Sequence, residues 1–278
     1  MSKNINELFS LQGRVIVITG AAGLLGRKHA EAVAAYGASP VLLDLSQEAV
    51  NSIALAINKK FGVKAIGFSV DITNEDQVKA NAKVIIKQYG CIDALVNNAA
   101  NNPKVEDSNH LNFSRLENFS LRTWNNDISV ALTGSFLCSK HYGFEISKNP
   151  NGGSIVNISS DLGLIAPDQG LYAQEGISKS MQNCKPVSYS VVKTGIIGLT
   201  RYLATYWCEE NVRCNAICPG GVENNQSKGF LDKINKKIPL GRMAKVDEYQ
   251  GTLIWVLSDA SSYLNGAIIP VDGGRSAW

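Results

Sequence analysis

The chain repeats one local pattern three times before residue 90: a short β-branched apolar run, a polar or glycine break, then apolar residues at helical spacing. "RVIVITG" (14–20) reads as a buried strand cut off by glycine, and "GRKHAEAVAAYG" (26–37) as a helix stopped at Gly37. "SPVLLDLS" with a helix over 46–61, and "KAIGFSVDIT" with a helix over 74–89, repeat the unit before a further strand at "IDALVNNAA". More strands are expected at "GSIVNISS" (153–160), "VRCNAICPGG" (212–221) and "GAIIPVDGG" (266–274). Strands that alternate with helices predict an α/β fold, a parallel sheet covered on both faces. No fixed-period repeat or low-complexity linker breaks the pattern, so residues 1–278 are expected to form a single domain.

Composition narrows the function. With 45% hydrophobic and 18% charged residues, the 278-residue chain can bury a substantial core. The formal charge of +3 is spread without a run of five like charges, so neither nucleic acid nor an anionic membrane is an expected partner. Cysteines 91, 138, 184, 208, 214 and 218 contain no C-x-x-C, and His29, His110 and His141 lie far apart, so no metal is expected. No leader-like segment opens the chain and no apolar stretch reaches membrane-spanning length, which predicts a cytoplasmic protein with free thiols.

Three segments fit the alternation poorly: 101–122, 164–187 and 223–240 are polar or irregular, and each follows an expected strand end. Ligands of open α/β sheets bind beyond the carboxyl ends of the strands, so these segments are candidates for substrate-covering insertions. Their many Asn, Ser, Gln and Lys side chains suit a polyhydroxylated small molecule, whose hydroxyls need directional partners.

"TGAAGLLG" (19–26) follows the first strand and opens a helix. In that context glycines let the backbone approach a pyrophosphate, and the helix N-terminus offers free N–H groups. Asp44 ends the second strand 24 residues after Gly20, where a carboxylate accepts from adenosine ribose hydroxyls and repels the extra phosphate of NADP. NAD is therefore the expected cofactor, with NADP as the alternative. Asp44 has a competing role as a helix N-cap, for which Ser46 is the rival.

With "VDIT" (Asp71), "LVNNAA" (Asn97), "GSIVNISSDLG" (Ser160), "YSVVK" (Tyr189, Lys193) and "NAICPGGV" (Pro219, Gly220) following in order, the chain resembles the short-chain dehydrogenase/reductase family over nearly its whole length. It is somewhat similar to oxidoreductases of bacterial flagellin modification and surface-polysaccharide sugar biosynthesis. The resemblance implies a doubly wound Rossmann-type sheet of about seven strands, a cofactor over its carboxyl edge, and a homotetramer or homodimer. It implies a cofactor-binding set of Gly20, Gly23, Leu25, Gly26, Asp44, Asp71, Ile72, Asn97, Ala99, Tyr189, Lys193, Pro219, Gly220 and Val222. Asp71 would meet the adenine amino group, Ile72 would contribute a backbone contact, and Asn97 would pack against the adenosine ribose. Asp71 has an alternative as N-cap of the helix near 74, and Asn97 and Asn98 as turn residues.

Ser160, Tyr189 and Lys193 are the expected catalytic residues. Tyr189 and Lys193 share a helix face one turn apart, so the ammonium is expected to lower the phenol's pKa from about 10 and make Tyr189 the general acid/base. Ser160, with Ser159 as its rival, would hydrogen-bond the substrate oxygen. Tyr172 lies nearer to Ser160 in sequence but has Gly176, not Lys, four residues on. Two departures from the family pattern stand out: Leu24 holds the place of a middle glycine, and Ala131 that of an asparagine supporting a proton relay. Asp127 and Ser135, one turn either side of Ala131, are candidate substitutes. The expected function is hydride transfer between nicotinamide and a secondary alcohol or ketone of a sugar, sugar acid or nucleotide-linked sugar. The alternative is a non-catalytic dinucleotide-binding or sensing protein.

Overall fold

The computed structural model describes residues 4–101 and 113–278. Its strands are β1 (Val15–Thr19), β2 (Ser39–Asp44), β3 (Ile66–Ser69), β4 (Ala94–Asn97), β5 (Gly153–Ile158), β6 (Val212–Pro219) and β7 (Ile268–Val271). They form one seven-stranded sheet in the order β3-β2-β1-β4-β5-β6-β7, with every pairing parallel. The chain steps outward from β1 to β3, then returns to β4 on the other side of β1. That reversal opens a crevice at the carboxyl edge between β1 and β4.

The apolar runs are continuous because both faces of the sheet are buried. Successive side chains point to opposite faces, so Ile16 and Ile18 enter one core layer while Val15 and Val17 enter the other. The same alternation separates Leu42 from Val41 and Leu43, and Val156 and Ile158 from Ile155. The first layer is closed by the helices Leu24–Ala35, Gln47–Phe61 and Gln250–Leu257. The second is closed by Glu75–Tyr89, the long helical run over 121–147, and Val187–Tyr206.

Helix ends follow local chemistry. Ser46 Oγ accepts from Ala49 N at 3.2 Å and Asn74 Oδ1 from Gln77 N at 3.1 Å, while Gly62 and Gly90 end their helices at φ +68° and +85°. The helix after β1 starts at Leu24 rather than Gly26, because Gly23 takes the extended N-cap conformation. The run over 121–147 is interrupted by π-helical stretches at Ser129–Thr133 and Ser139–Gly143, the first of which contains Ala131.

Of the first irregular segment, residues 102–112 lie outside the described residues. Residues 164–187 carry 3₁₀ turns at Gln169–Tyr172 and Lys179–Met181, and the Gln182 amide fastens the loop to Gln174 and Ile177. The third segment, expected to be irregular, contains the helix Lys228–Ile234, capped by Ser227. Phe230 and Ile234, one turn apart, pack there in a small apolar cluster with Leu171, Tyr172, Ile238 and Met243, which gives a polar sequence one buried face.

Candidate active site

The carboxyl ends of the strands surround a cleft of about 620 Å³. Gly20, Gly23, Leu25, Asp44, Asp71, Ile72, Ala99, Ser160, Tyr189, Lys193, Pro219, Gly220 and Val222 all line it. Gly26 and Asn97, also expected at the cofactor, do not line it.

The glycine turn is shaped by contact as well as by conformation. Gly20 has φ +63°, and a Cβ there would lie 2.8 Å from Ala99 Cα. A Cβ on Gly26 would lie 2.1 Å from the Gly20 carbonyl, so Gly26 is needed where helix meets strand. Leu24, in place of a middle glycine, is the first helical residue and faces the cleft. No side chain caps this helix, so its first-turn N–H groups point toward the cleft with the positive end of the dipole. A glycine cradle, an uncapped helix start and a carboxylate at the next strand end fit a nicotinamide dinucleotide.

Asp44 is fixed by two backbone donors: Ala22 N to Oδ2 at 2.9 Å, and Leu45 N to Oδ1 at 2.8 Å. Ser46 is the N-cap of the following helix, which leaves Asp44 facing the cleft. Asn74 caps the next helix, and Asp71 instead holds Thr73 through the N–H at 2.9 Å and the hydroxyl at 2.7 Å. Asn97 is buried, and its Nδ2 donates to Ser139 Oγ at 3.1 Å and Asn157 Oδ1 at 2.8 Å. Its alternation on β4 turns it into the helix layer. Its neighbour Asn98 lines the cleft and ties β4 to the glycine turn through Thr19 O at 2.9 Å and Gly20 O at 3.2 Å.

Ser159 Oγ donates to the Lys193 carbonyl at 2.7 Å, which docks the end of β5 on the helix Val187–Tyr206. A Cβ on Gly163 would come within 2.7 Å of that Oγ and 2.9 Å of the Lys193 carbonyl oxygen, so the docking of Ser159 on the helix leaves no room for a side chain at 163. Ser160 Oγ donates to Asp161 Oδ1 at 2.8 Å, and Asp161 Oδ2 accepts from Arg275 Nη1 at 2.6 Å.

The one-turn spacing brings Tyr189 and Lys193 together, but the expected electrostatics are corrected. Lys193 Nζ lies 5.8 Å from the Tyr189 ring centroid and donates to the Ile158 carbonyl at 2.9 Å. Burial pushes the Tyr189 phenol above its ordinary value, and a hydrogen bond with Ser160 pulls it the other way. Lys193 is lowered to about 8, first by burial and then by the neighbouring charge of Lys185. The ammonium therefore loses affinity for its proton where it was expected to lower the phenol. Desolvation acts on both groups because Lys193 is buried and Tyr189 is half-buried at the cleft.

Several lining residues carried no pattern in the sequence. Lys185 Nζ sits 3.8 Å from the Tyr189 ring centroid, Arg275 reaches Asp161, and Leu171, Tyr172, Phe230 and Met243 form one apolar wall. The Tyr172 ring lies 5.8 Å from Phe230, so Tyr172 belongs to this wall. Asp127 accepts from Ser188 Oγ at 2.5 Å and from Asn101 Nδ2 at 3.2 Å, so it joins the two helices behind the cleft. Among the described residues, no group of three His, Cys, Asp or Glu is placed to hold a metal, and no helix is long and apolar enough to cross a membrane.

A family model described as Enoyl-(Acyl carrier protein) reductase matches residues 20–276. The chain is 32% identical over 268 residues to the 3-oxoacyl-(acyl-carrier-protein) reductase FabG of Aquifex aeolicus, covering 95% of this chain and 98% of that protein. It is 32% identical over 277 residues to an NADP-dependent mannitol dehydrogenase of Alternaria alternata, covering 97% and 95%. A gluconate 5-dehydrogenase from Burkholderia cenocepacia, solved in complex with NADP and tartrate, superposes with a TM-score of 0.85 at 26% identity, over 99% of this chain and 100% of that one.

Proposed function

Because the chain belongs to the short-chain dehydrogenase/reductase family and is an NAD(P)-dependent alcohol dehydrogenase or ketoreductase, we propose that Tyr189 exchanges the proton with the substrate oxygen and Ser160 hydrogen-bonds it. The observation that carries this reading is the convergence of Ser160, Tyr189 and Lys193 on the cleft that also holds the glycine turn. A nicotinamide dinucleotide, when bound, supplies or accepts the hydride. Gly20, Gly23 and Leu25 form its phosphate cradle, and Gly26 lets the helix pack closely behind it. Asp44, Asp71, Ile72, Asn98 and Ala99 line the adenosine end, and Pro219, Gly220 and Val222 close the far wall.

Tyr189 gives its proton to the oxygen during ketone reduction and takes it back during alcohol oxidation. Ser160, whose one hydroxyl proton goes to Asp161 Oδ1 in the free site, turns it to that oxygen and steadies the charge that develops there. Lys193 bridges the Ile158 carbonyl and the space beside the phenol, where it would also meet the nicotinamide ribose.

The proposed cofactor is NAD. Asp44, held by two backbone N–H groups at the mouth of the glycine turn, offers ribose hydroxyls an acceptor and an added phosphate a repelling charge. The proposed substrate is a small polyhydroxylated alcohol or its ketone, which Asn224, Gln226 and Lys185 in the flanking segments can hydrogen-bond. Relatives described as mannitol and gluconate dehydrogenases support that class. We keep the chain as one domain with 164–187 and 223–240 as substrate-covering insertions, acting as a homodimer or homotetramer in the cytoplasm. Exposed Phe136, Phe144, Tyr202 and Tyr206 on neighbouring helices support association, and six free thiols suit a reducing compartment.

Calorimetric titration tests the cofactor. NAD is expected to bind at least about tenfold tighter than NADP, and Asp44→Ala to narrow that ratio. A wild-type preference for NADP overturns the assignment of Asp44.

A further inference from the structure

Ser160 has one hydroxyl proton, and Oγ donates it to Asp161 Oδ1 at 2.8 Å. The Leu162 N–H holds the arrangement, reaching Ser160 Oγ at 3.2 Å and the same Oδ1 at 2.8 Å. The second carboxylate oxygen accepts from Arg275 Nη1 at 2.6 Å. All three residues are buried, and all three line the cleft. Arg275 reaches this point from a fixed turn: Asp272 Oδ1 accepts from Gly274 N and Oδ2 from Ser276 N, each at 2.9 Å. Asp272 in turn packs behind Gly220, where a Cβ would lie 2.8 Å from Asp272 Cα. Tyr189 also hydrogen-bonds Ser160. A Ser160 hydroxyl that donates to Asp161 can only accept from the phenol, which requires Tyr189 to keep its proton. A phenolate, or a negative charge growing on the substrate oxygen, needs the Ser160 proton for itself and must take it from Asp161.

Resting on the reading that Tyr189 exchanges the substrate proton beside Ser160, we infer that Asp161 and Arg275 are positioning residues that govern the Ser160 proton. Asp161 competes for that proton and so favours the neutral phenol, and Arg275 weakens the competition by drawing on the same carboxylate. Charge acts in the same direction as orientation: the Asp161 carboxylate disfavours a second negative charge on the phenol and is among the influences that raise it. A purely structural pair could give way to apolar side chains without loss, whereas this one bonds the hydroxyl that meets the substrate. Among the described residues, the other ionisable groups around the phenol and Ser160 are Lys185 and Lys193 on either side of Tyr189 in sequence, Cys218 on β6, Tyr249 ahead of the helix Gln250–Leu257, and Asp127 behind, bonded to Ser188. Substitutions at 161 and 275 leave these in place, so their influence is common to every variant compared.

The test follows the Tyr189 ionisation in two ways: the pH profile of alcohol oxidation with NAD on the best substrate found, and the phenolate difference absorbance of the NAD-loaded protein against pH, referenced to Tyr189→Phe. The second readout needs no substrate. Asp161→Asn keeps the shape and an accepting oxygen but removes the charge, and Arg275→Met removes the opposing charge. The Tyr189-dependent limb is expected about one pH unit lower in Asp161→Asn, and displaced the other way, to higher pH, in Arg275→Met. The double variant of Asp161→Asn with Arg275→Met leaves no buried charge unpaired and decides the matter where a single variant does not fold. Its limb is expected below that of wild type, because the carboxylate bonds Ser160 while the guanidinium bonds the carboxylate. Opposite displacements in the two single variants support the inference. A limb at the wild-type pH in Asp161→Asn, or in the double variant where that one does not fold, overturns it and leaves the Tyr189 reading intact. An Arg275→Met limb displaced to lower pH, or not at all, overturns the role of Arg275. Equal loss of rate at every pH with no displaced limb means that the pair is structural and overturns the whole inference. Absence of any Tyr189-dependent limb from both wild-type readouts overturns the Tyr189 reading and the inference together.

Discussion

Arg275 and Asp161 form a buried ion pair, Nη1 to Oδ2 at 2.6 Å, between residues 114 positions apart in sequence. Asp161 Oδ1 accepts from Ser160 Oγ at 2.8 Å and from Leu162 N at 2.8 Å, so the pair fixes the hydroxyl at the reacting end of the cleft. Removing one charge leaves the other buried without compensation. Arg275→Met is expected to lower unfolding free energy by about 3–5 kcal/mol, and Asp161→Asn in the same chain to recover part of the loss. Urea unfolding of the two single variants and the double variant checks this. A wild-type midpoint for Arg275→Met contradicts it.

Such a pair was not legible in the sequence, because nothing local relates "SSDLG" to "GGRSAW". The sheet was legible: apolar runs bounded by Gly and polar residues marked all seven strands, since burial on both faces leaves an unbroken signal. Their ends were read long. β3 covers only Ile66–Ser69 of "KAIGFSVDIT", because a strand stops where its ladder partner stops, and β2 ends at Asp44. Periodicity also found the Tyr189 helix, but spacing alone could not say that the Ile158 carbonyl would take the Lys193 ammonium. Asn97 and Asn98 look alike in "VNNAA", and only the pleat decides which one faces the cleft. Lys185 and the Phe230 wall lie in segments whose pattern is too short to register.

Ala131 is 3% exposed within the π-helical stretch Ser129–Thr133. Asp127, one candidate to replace the expected asparagine, is engaged with Ser188 and Asn101. With Asp127 engaged, we expect a proton path past Lys193 to use backbone oxygens such as that of Ile158, water, or Ser135. Ala131→Asn is expected to change kcat by less than about tenfold, or under ~1.4 kcal/mol of barrier. Steady-state rates across pH check this. An inactive wild type restored by Ala131→Asn contradicts it.

His29 is 2% exposed, and burial lowers its pKa from 6.5 to about 4. Between those values the unfolded chain binds a proton that the folded chain refuses, so stability present above pH 6.5 falls as the pH drops toward 4. The loss attributable to His29 is on the order of 3 kcal/mol. His29→Leu is expected to flatten this acid limb. Denaturant unfolding at pH 7 and pH 4.5 for both proteins gives the difference, and parallel losses contradict the account.

The central claim is that the Tyr189 oxygen, set beside Ser160 and Lys193, transfers the substrate proton. Its most direct measurement is single-turnover reduction of NAD by wild type and Tyr189→Phe on the best substrate found among small polyols and sugar acids, with NAD affinity measured in parallel. The ring stays and only the oxygen is lost. The account predicts a fall in hydride transfer of about 10² or more, with NAD affinity within about threefold of wild type. Unchanged hydride transfer in Tyr189→Phe would contradict it.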